Sequence, residues 1–164
     1  MVDCTKSLTI KNYHISSLTN GYFEFGEIEG DFNCDSCESL KTLEGTPEKC
    51  GTFNCIYCNS LTSLKGAPEE VKGDFYCFNC KSLTSLEGAP REVGDFYCFN
   101  CKSLTSLKGA PEEVNGEFVC SHCVSLTSLD GISKKISGGV YANGCVLISS
   151  KNISNYIKDK IKAL

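Results

Sequence analysis

The sequence predicts a solenoid, in which short coils stack on one another around one shared hydrophobic core. Three observations predict it. A phenylalanine recurs at intervals of 21, 22, 21 and 22 residues, at Phe32, Phe53, Phe75, Phe96 and Phe118. A glycine repeats the same alternation, at Gly45, Gly66, Gly88, Gly109 and Gly131. The unit that begins at Gly94 is also nearly identical to the unit that begins at Gly73.

Each coil is predicted to contain a short strand that begins near the repeated phenylalanine. Alternate side chains of a strand point to opposite faces, so Phe96 and Cys98 share one face and Tyr97 takes the other. The phenylalanine and cysteine positions barely change between coils, whereas the position between them varies among asparagine, tyrosine and valine. A core shared by all coils makes the same demand on each coil. We therefore expect Phe, Cys and Leu inside and the variable position outside.

The apolar positions of the clearest unit resemble the leucine-rich repeat signature, in the variant that has cysteine in place of asparagine. These positions are Val93, Phe96, Cys98, Cys101, Leu104 and Leu107. The resemblance covers residues 10 to 148, and five successive units match it at seven or more positions each. It implies a leucine-rich repeat solenoid with one parallel sheet, whose outer side chains form the binding face. Parts of the repeat are also similar to treponemal-type repeats of bacterial surface proteins and to arrays encoded in phage and bacterial genomes.

The two ends depart from the repeat and are predicted as caps. Residues 1–31 form a degenerate capping repeat in which Ile10 takes the place of the phenylalanine. Residues 32–148 form the repeat array, which brings the expected number of coils to about seven. Residues 149–164 are predicted as a capping α-helix, because apolar residues recur there at helical spacing. These are Ile153, Tyr156, Ile157, Ile161 and Leu164.

The side of the solenoid opposite the predicted strands carries the segment Glu-Gly-Ala-Pro-x-Glu-Val in the clearest coils. Glycine and proline interrupt helices. We therefore expect extended or tight-turn structure on this side.

Charge and composition argue against several classes of function. The formal net charge is -4 with both signs interspersed, so no basic field that would gather nucleic acid is expected. The N-terminal residues do not resemble a signal peptide, and no apolar run approaches the ~20 residues of a membrane span. We expect a cytoplasmic protein without a membrane partner. The sequence has no nucleophile–base pair, phosphate loop or H-E-x-x-H motif, so no enzymatic activity is expected.

Thirteen cysteines are present, and most of them form tandem C-x-x-C pairs. The pairs are Cys34/Cys37, Cys55/Cys58, Cys77/Cys80, Cys98/Cys101 and Cys120/Cys123, with Cys145 as a remnant. Zinc or iron–sulfur ligation and disulfides between adjacent coils are alternatives that this spacing leaves open. The repeat positions favour a ladder of buried thiols, which behave as small hydrophobes with a weak donor. No metal and no cofactor are therefore expected.

The outer positions of the central coils form the candidate partner-binding surface. They are Ile56, Tyr57, Tyr76, Phe78, Tyr97, Phe99, Val119, His122 and Tyr141. A contiguous apolar patch of this kind marks a contact surface, although Phe78 and Phe99 can alternatively be core residues. Beside them runs an acidic line that includes Asp74 and Asp95, explained either by a partner with basic groups or by a solvated strand edge.

The sequence thus predicts a non-enzymatic module that binds another protein through the face of its sheet. The similarity to phage-encoded arrays suggests a narrower version, in which the chain inhibits a host or defence protein. The alternatives are a structural or adhesion repeat protein and a metal-binding protein that uses the C-x-x-C ladder.

Overall fold

The computed structural model describes residues 7–10, 17–18, 25–146, 148 and 153–163. In this part of the chain, the protein is a parallel β-solenoid of about six turns with almost no helix. This confirms the solenoid that the 21/22-residue period predicts, but with about six turns where the sequence predicts about seven coils. Within the array, each coil pairs with the next in the same parallel register.

One parallel sheet of eight short strands, which we call the main sheet, runs along the solenoid. Its strands are in register, so that each repeated phenylalanine lies beside the phenylalanine of the next coil. In spatial order they are β1 (Leu8–Thr9), β2 (Phe32–Asn33), β4 (Phe53–Asn54), β6 (Phe75–Tyr76), β8 (Phe96–Tyr97), β10 (Phe118–Val119), β12 (Val140–Tyr141) and β13 (Ile161–Ala163).

The opposite side of each coil is extended, as the glycine and proline content predicts. Five strands of two residues lie there, and we call them the back strands. They form a pair, β3 (Lys49–Cys50) and β5 (Glu70–Val71), and a group of three, β7 (Glu92–Val93), β9 (Glu113–Val114) and β11 (Lys135–Ile136). Because the second residue of each back strand is buried, these strands close the core from behind.

The core consists of the repeated Phe, Cys and Leu side chains, which confirms the predicted register. The five inward phenylalanines are fully buried. Their rings follow one another along the solenoid, with centroids 5.7 Å apart for Phe32 and Phe53 and 5.0 Å apart for Phe53 and Phe75. Cys50, which stands where later coils have valine, is also fully buried. The core is therefore continuous from coil to coil.

A left-handed residue ends each strand segment and turns the second cysteine of the pair inward. Its φ angle is +57° at Tyr57, +59° at Asn79 and +55° at Asn100. Residues other than glycine adopt this conformation at a cost of roughly 1 to 2 kcal/mol, so the surrounding coil must impose it. Hydrogen bonds between coils do so: the amide of Asn79 donates to the carbonyl of Phe99 at 3.0 Å.

The C-terminal capping helix predicted for residues 149–164 is wrong in extent. Among its described residues, 153–163, only α1 (Asn155–Lys158) is helical, and Ile161 belongs to strand β13, which extends the main sheet beyond β12. Ile153 and Ile157 are buried, whereas Tyr156, predicted on the same side, is exposed, so the helical spacing identifies the side that faces the core only in part. Pairing with the open edge of β12 competes with helix formation and determines the structure of the last residues. Leu164 lies outside the described residues.

In the structure, the N-terminal coil is aligned with its neighbour two residues away from the predicted alignment. Leu8, and not Ile10, pairs with Phe32, and Ile10 takes the place of Cys34. Accordingly, the thiol of Cys37 donates to the carbonyl of Ile10 at 3.7 Å. A shift of two residues keeps the same side chains on the same face of a strand, so the apolar pattern alone does not distinguish the two alignments.

Among the described residues, none of the helical segments has the length and apolar character needed to cross a bilayer.

Candidate functional site

The residues predicted to contact a partner lie on the outer face of the main sheet and its following turn. Tyr57 is the most exposed of the large apolar ones, at 47%. His122 is exposed as well. The remaining ones are partly buried: Ile56, Tyr76, Phe78, Tyr97, Phe99, Val119 and Tyr141. Because adjacent main-sheet strands are in register, these side chains form columns along the solenoid.

Four of these residues are joined by ring contacts, and we call them the aromatic patch: Tyr76, Phe78, Tyr97 and Phe99. The rings of Phe78 and Phe99 are stacked with centroids 4.2 Å apart, and those of Tyr76 and Tyr97 are stacked at 5.1 Å. Tyr76 also meets Phe78 edge-on at 6.3 Å. Phe78 and Phe99 lie outside the buried core cluster. The alternative that they are core residues is therefore not what the structure shows.

The acidic line is bound to the tyrosines of the same face. The hydroxyl of Tyr76 donates to Asp74 Oδ2 at 2.9 Å, and that of Tyr97 donates to Asp95 Oδ2 at 3.0 Å. Each acid stands two residues before its tyrosine, which places both on the same face of the strand. Burial, with a further contribution from the bond to Asp74, raises the pKa of Tyr76 to about 12. The same causes, with Asp95 as the acceptor, raise the pKa of Tyr97.

The second oxygen of each of these acids holds the next coil in place. Asp74 Oδ1 accepts a bond from the amide of Asp95 at 2.8 Å, and Asp95 Oδ1 accepts one from the amide of Glu117 at 2.7 Å. Asp31 does the same for Thr52 at 2.7 Å. The acids therefore do more than line a solvated strand edge. They connect successive coils to each other, and Asp74 and Asp95 also bind the tyrosines.

Tyr141, at the C-terminal end of the face, uses a different acceptor. Its own coil has Gly139 where the three preceding coils have an acid. Its hydroxyl instead donates to Glu117 Oε1 in the preceding coil at 3.2 Å, and this bond is the largest cause of the raised pKa of Tyr141. Each tyrosine of the main-sheet strands thus donates to a carboxylate.

The first coils of the array carry asparagine where the middle coils carry tyrosine. Asn33 Oδ1 accepts a bond from the amide of Asp35 at 2.9 Å, and Asn54 Oδ1 accepts one from the amide of Ile56 at 3.0 Å. These side chains support their own backbone and extend no ring outward. The aromatic patch is therefore confined to the middle of the face.

The cysteines form the ladder of buried thiols that the repeat positions favour. The thiol of the second cysteine in a pair donates to the carbonyl of the first cysteine in the preceding coil. The distances are 3.3 Å for Cys58 to Cys34, 3.2 Å for Cys80 to Cys55, 3.2 Å for Cys101 to Cys77, 3.2 Å for Cys123 to Cys98 and 3.1 Å for Cys145 to Cys120. Burial raises the pKa of Cys77 and Cys98 well above the usual value. Such thiols stay protonated at neutral pH and serve as hydrogen-bond donors.

The part of the chain that the structure describes holds no group of three or more His, Cys, Asp or Glu side chains placed to share an ion. The described cysteines are free thiols. Cys4 lies outside the described residues.

The sequence pattern predicted the columns of outer side chains but not the bonds between tyrosine and acid. A signal for these bonds is present in the sequence. In the two central coils an aspartate stands two residues before a tyrosine, at Asp74/Tyr76 and Asp95/Tyr97, whereas Thr52 precedes Asn54. This signal is confined to the two central coils, because an acid also stands two residues before Asn33 and Val119, and none stands two residues before Tyr141.

Comparison of the chain with protein-family models, with curated proteins and with solved structures finds no match.

Proposed function

We propose that this protein is a non-enzymatic binding module that recognises another protein through the outer face of its main sheet. The observation that carries the proposal is the aromatic patch, in which four partly exposed rings lie in contact on two adjacent coils. A contiguous apolar group of this kind on a surface is typical of an interaction site. Tyrosine and phenylalanine are also among the residues enriched at protein interfaces.

The rings are held in place before any partner arrives. Stacking fixes Phe78 against Phe99, and the carboxylates of Asp74 and Asp95 fix the tyrosine hydroxyls. Ordering side chains at an interface costs roughly 0.5 to 1.5 kcal/mol for each flexible one, so a face with fixed rings loses less on binding. This supports a binding role for the patch over a purely structural one.

The shape of the face supports a macromolecular partner. Small-molecule sites are concave and bury most of their ligand, whereas these columns follow an open row of strands. Strands of a sheet are about 4.8 Å apart, so the columns offer repeated contacts along an extended surface. A protein segment can use several of these contacts at once.

We also propose that the solenoid is of the leucine-rich repeat type, as the resemblance implies. Support comes from the second cysteine of each pair, which stands where that repeat has asparagine or cysteine and donates to the backbone of the neighbouring coil. The inward leucines, such as Leu104 and Leu107, are fully buried. The narrower function of inhibiting a host or defence protein rests on the resemblance alone and stays a prediction.

The test compares two double variants. Phe78→Ser/Phe99→Ser removes two rings of the patch, and Glu70→Ser/Glu92→Ser makes a matched change on the exposed back strands. Immobilised wild type and both variants are incubated with lysate of the cells that encode the chain, and a retained protein is identified, purified and titrated calorimetrically. We expect the patch variant to bind at least about tenfold more weakly, which corresponds to about 1.4 kcal/mol, and the back-strand variant to bind like wild type.

Circular dichroism and urea unfolding establish that both variants are folded. Equal affinity of the folded patch variant and the wild type for the purified partner would refute binding through this face. Equal loss in both variants would also count against it.

A further inference from the structure

We infer that the partner contacts the aromatic patch with arginine side chains, which lie against the rings and pair with Asp74 and Asp95. This inference rests on the proposed function and specifies the chemistry of the partner.

In the five coils of the array, the outer face carries acids but no lysine and no arginine. The five segments that form it in successive coils contain no lysine and no arginine: residues 31–36, 52–57, 74–79, 95–100 and 117–122. The same segments contain the acids Asp31, Asp35, Asp74, Asp95 and Glu117. The nearest basic residues along the chain lie outside these segments: Lys72 and Arg91 precede the acids, and Lys81 and Lys102 follow the inward cysteine. A partner that covers this face must therefore supply positive charge to avoid burying uncompensated carboxylates.

The hydrogen-bond donors of the patch are already engaged. The hydroxyls of Tyr76 and Tyr97, which are the two donors of the aromatic patch, donate to Asp74 and Asp95. A carboxylate has about four lone-pair sites, of which the two bonds described for each aspartate use two. The patch consequently offers acceptors, and a partner has to bring donors.

Arginine satisfies both requirements better than lysine does. Its guanidinium group is planar, stacks on the faces of aromatic rings, and presents several N–H donors that match a carboxylate. A lysine ammonium is a strongly hydrated point charge and does not stack in this way. Aromatic columns and carboxylate columns lie side by side here, so one guanidinium can lie against a ring while donating to the adjacent acid.

The chain itself lays a cationic side chain along the end of this face. Gly139 takes the place that Asp95 and Glu117 have in earlier coils. A Cβ atom added to Gly139 would lie 2.6 Å from Cγ of Lys162 and 3.1 Å from Cε2 of Tyr141. The stem of Lys162 and the ring of Tyr141 therefore both cover this glycine. The face accommodates a long basic side chain next to a tyrosine of the column.

The inference is tested with defined probes on the full chain. A fluorescent peptide of alternating arginine and serine is compared with the same peptide carrying citrulline, the uncharged analogue of arginine, by anisotropy at low salt. The protein variants are Asp74→Asn/Asp95→Asn, which keeps the shape of both side chains, and Glu48→Gln/Glu69→Gln, which removes the same charge from exposed sites on the back of the coils. Cellohexaose serves as a probe for an aromatic platform that binds a polysaccharide.

We expect wild type to bind the arginine peptide at least about tenfold more tightly than the citrulline peptide. The aspartate variant should lose about tenfold in affinity for the arginine peptide, and the glutamate variant should change by less than about twofold. Equal affinity for both peptides, or equal loss in both variants, overturns the inference, as does a preference for cellohexaose.

Calorimetry with the partner purified from lysate distinguishes this inference from the proposed function. A partner whose binding is weakened by Phe78→Ser/Phe99→Ser but not by Asp74→Asn/Asp95→Asn overturns the arginine inference and leaves the protein-binding function intact. If neither double variant weakens binding of the partner, both the arginine inference and the proposed function are refuted.

Discussion

The acids of the main sheet and those near the back strands have different bonding partners. On the back, Glu112 lies 3.1 Å from Arg91 and 3.2 Å from Lys134, and these partners lower the pKa of its carboxyl. On the main sheet, Asp74 and Asp95 bind phenols and backbone amides but no cation of their own coils. Both faces belong to the same coils and share the same register. The difference therefore comes from the choice of side chains and not from the fold.

This difference indicates which face is complete without a partner. Several charges on the back pair with a cation of the same face, as in Lys49, which lies 2.9 Å from Glu27 and 3.6 Å from Glu70. Exposed ion pairs of this kind contribute little to stability, but they neutralise part of the charge on the back. The main sheet combines uncompensated carboxylates with fixed aromatic rings. A partner with positive charge can pair with carboxylates on a surface of that composition.

The largest expected effect separates the core from the outer face. Phe96 is fully buried between Phe75 and Phe118, whereas Phe99 is partly exposed and touches Phe78. We expect Phe96→Ala to lower the free energy of unfolding by about 3 to 5 kcal/mol, and Phe99→Ala by about 1 kcal/mol. Urea unfolding followed by circular dichroism measures both values. Similar losses for the two variants would contradict the assignment of Phe99 to the outer face.

The second effect concerns the turn that leads from the inward leucines to the back strands. Gly109 has a φ angle of +87°, and a Cβ atom added there would lie 2.6 Å from the backbone nitrogen of Glu87. We expect Gly109→Ala to cost about 1 to 3 kcal/mol, since both the φ angle and the neighbouring coil oppose a side chain. Gly26→Ala is the control, because nothing lies within 4 Å of its added Cβ. The thermal midpoint should fall for the first variant only. An unchanged midpoint in Gly109→Ala would disprove the close contact between these turns.

The smallest effect tests the bond between phenol and acid. The pKa of Tyr76 is raised to about 12, against a value of about 10 for an unfolded tyrosine. Folding therefore favours the neutral phenol, and this contribution to stability is complete below pH ~10 and is lost as the pH rises through the folded pKa. Ultraviolet titration of wild type should show a late-titrating tyrosine. In Asp74→Asn that transition should move toward the ordinary value, and Tyr76→Phe should remove it.

A matched titration provides the control for this comparison. Glu70→Gln removes an acid from the back strands, where no tyrosine of the main sheet accepts or donates a bond. Its tyrosine titration should match that of wild type. An equal displacement in both variants would mean that general charge, and not the bond to Asp74, controls Tyr76.

The fold of the array could be predicted from the sequence because one unit recurs. The interval between phenylalanines sets the coil, and the invariance of Phe96 and Cys98 positions against the variability at Tyr97 identifies the inner face. The ends could not be predicted equally well. At Ile161, strand pairing with β12 overrides a helical apolar pattern, and at Leu8 a two-residue shift leaves that pattern unchanged.

The candidate site was predicted as a set of positions but not as a network. Alternation along a strand is sufficient to place Tyr76 and Phe78 outside. It does not show that Asp74 binds both the phenol of Tyr76 and the amide of Asp95 in the next coil, because the second bond depends on the rise between coils. Pairwise bonds between coils require coordinates even where the face of each residue is already known.

The near-identity of two successive units has an evolutionary consequence. Residues 73–90 and 94–111 differ only at Glu87 and Lys108, and these two units carry the whole aromatic patch. Unequal recombination between such stretches would add or delete one complete coil without disturbing its neighbours. Each event would change the reach of the aromatic surface by about 4.8 Å, the spacing of adjacent strands. The gene can therefore adjust the length of this surface in fixed increments, before any point mutation alters its chemistry.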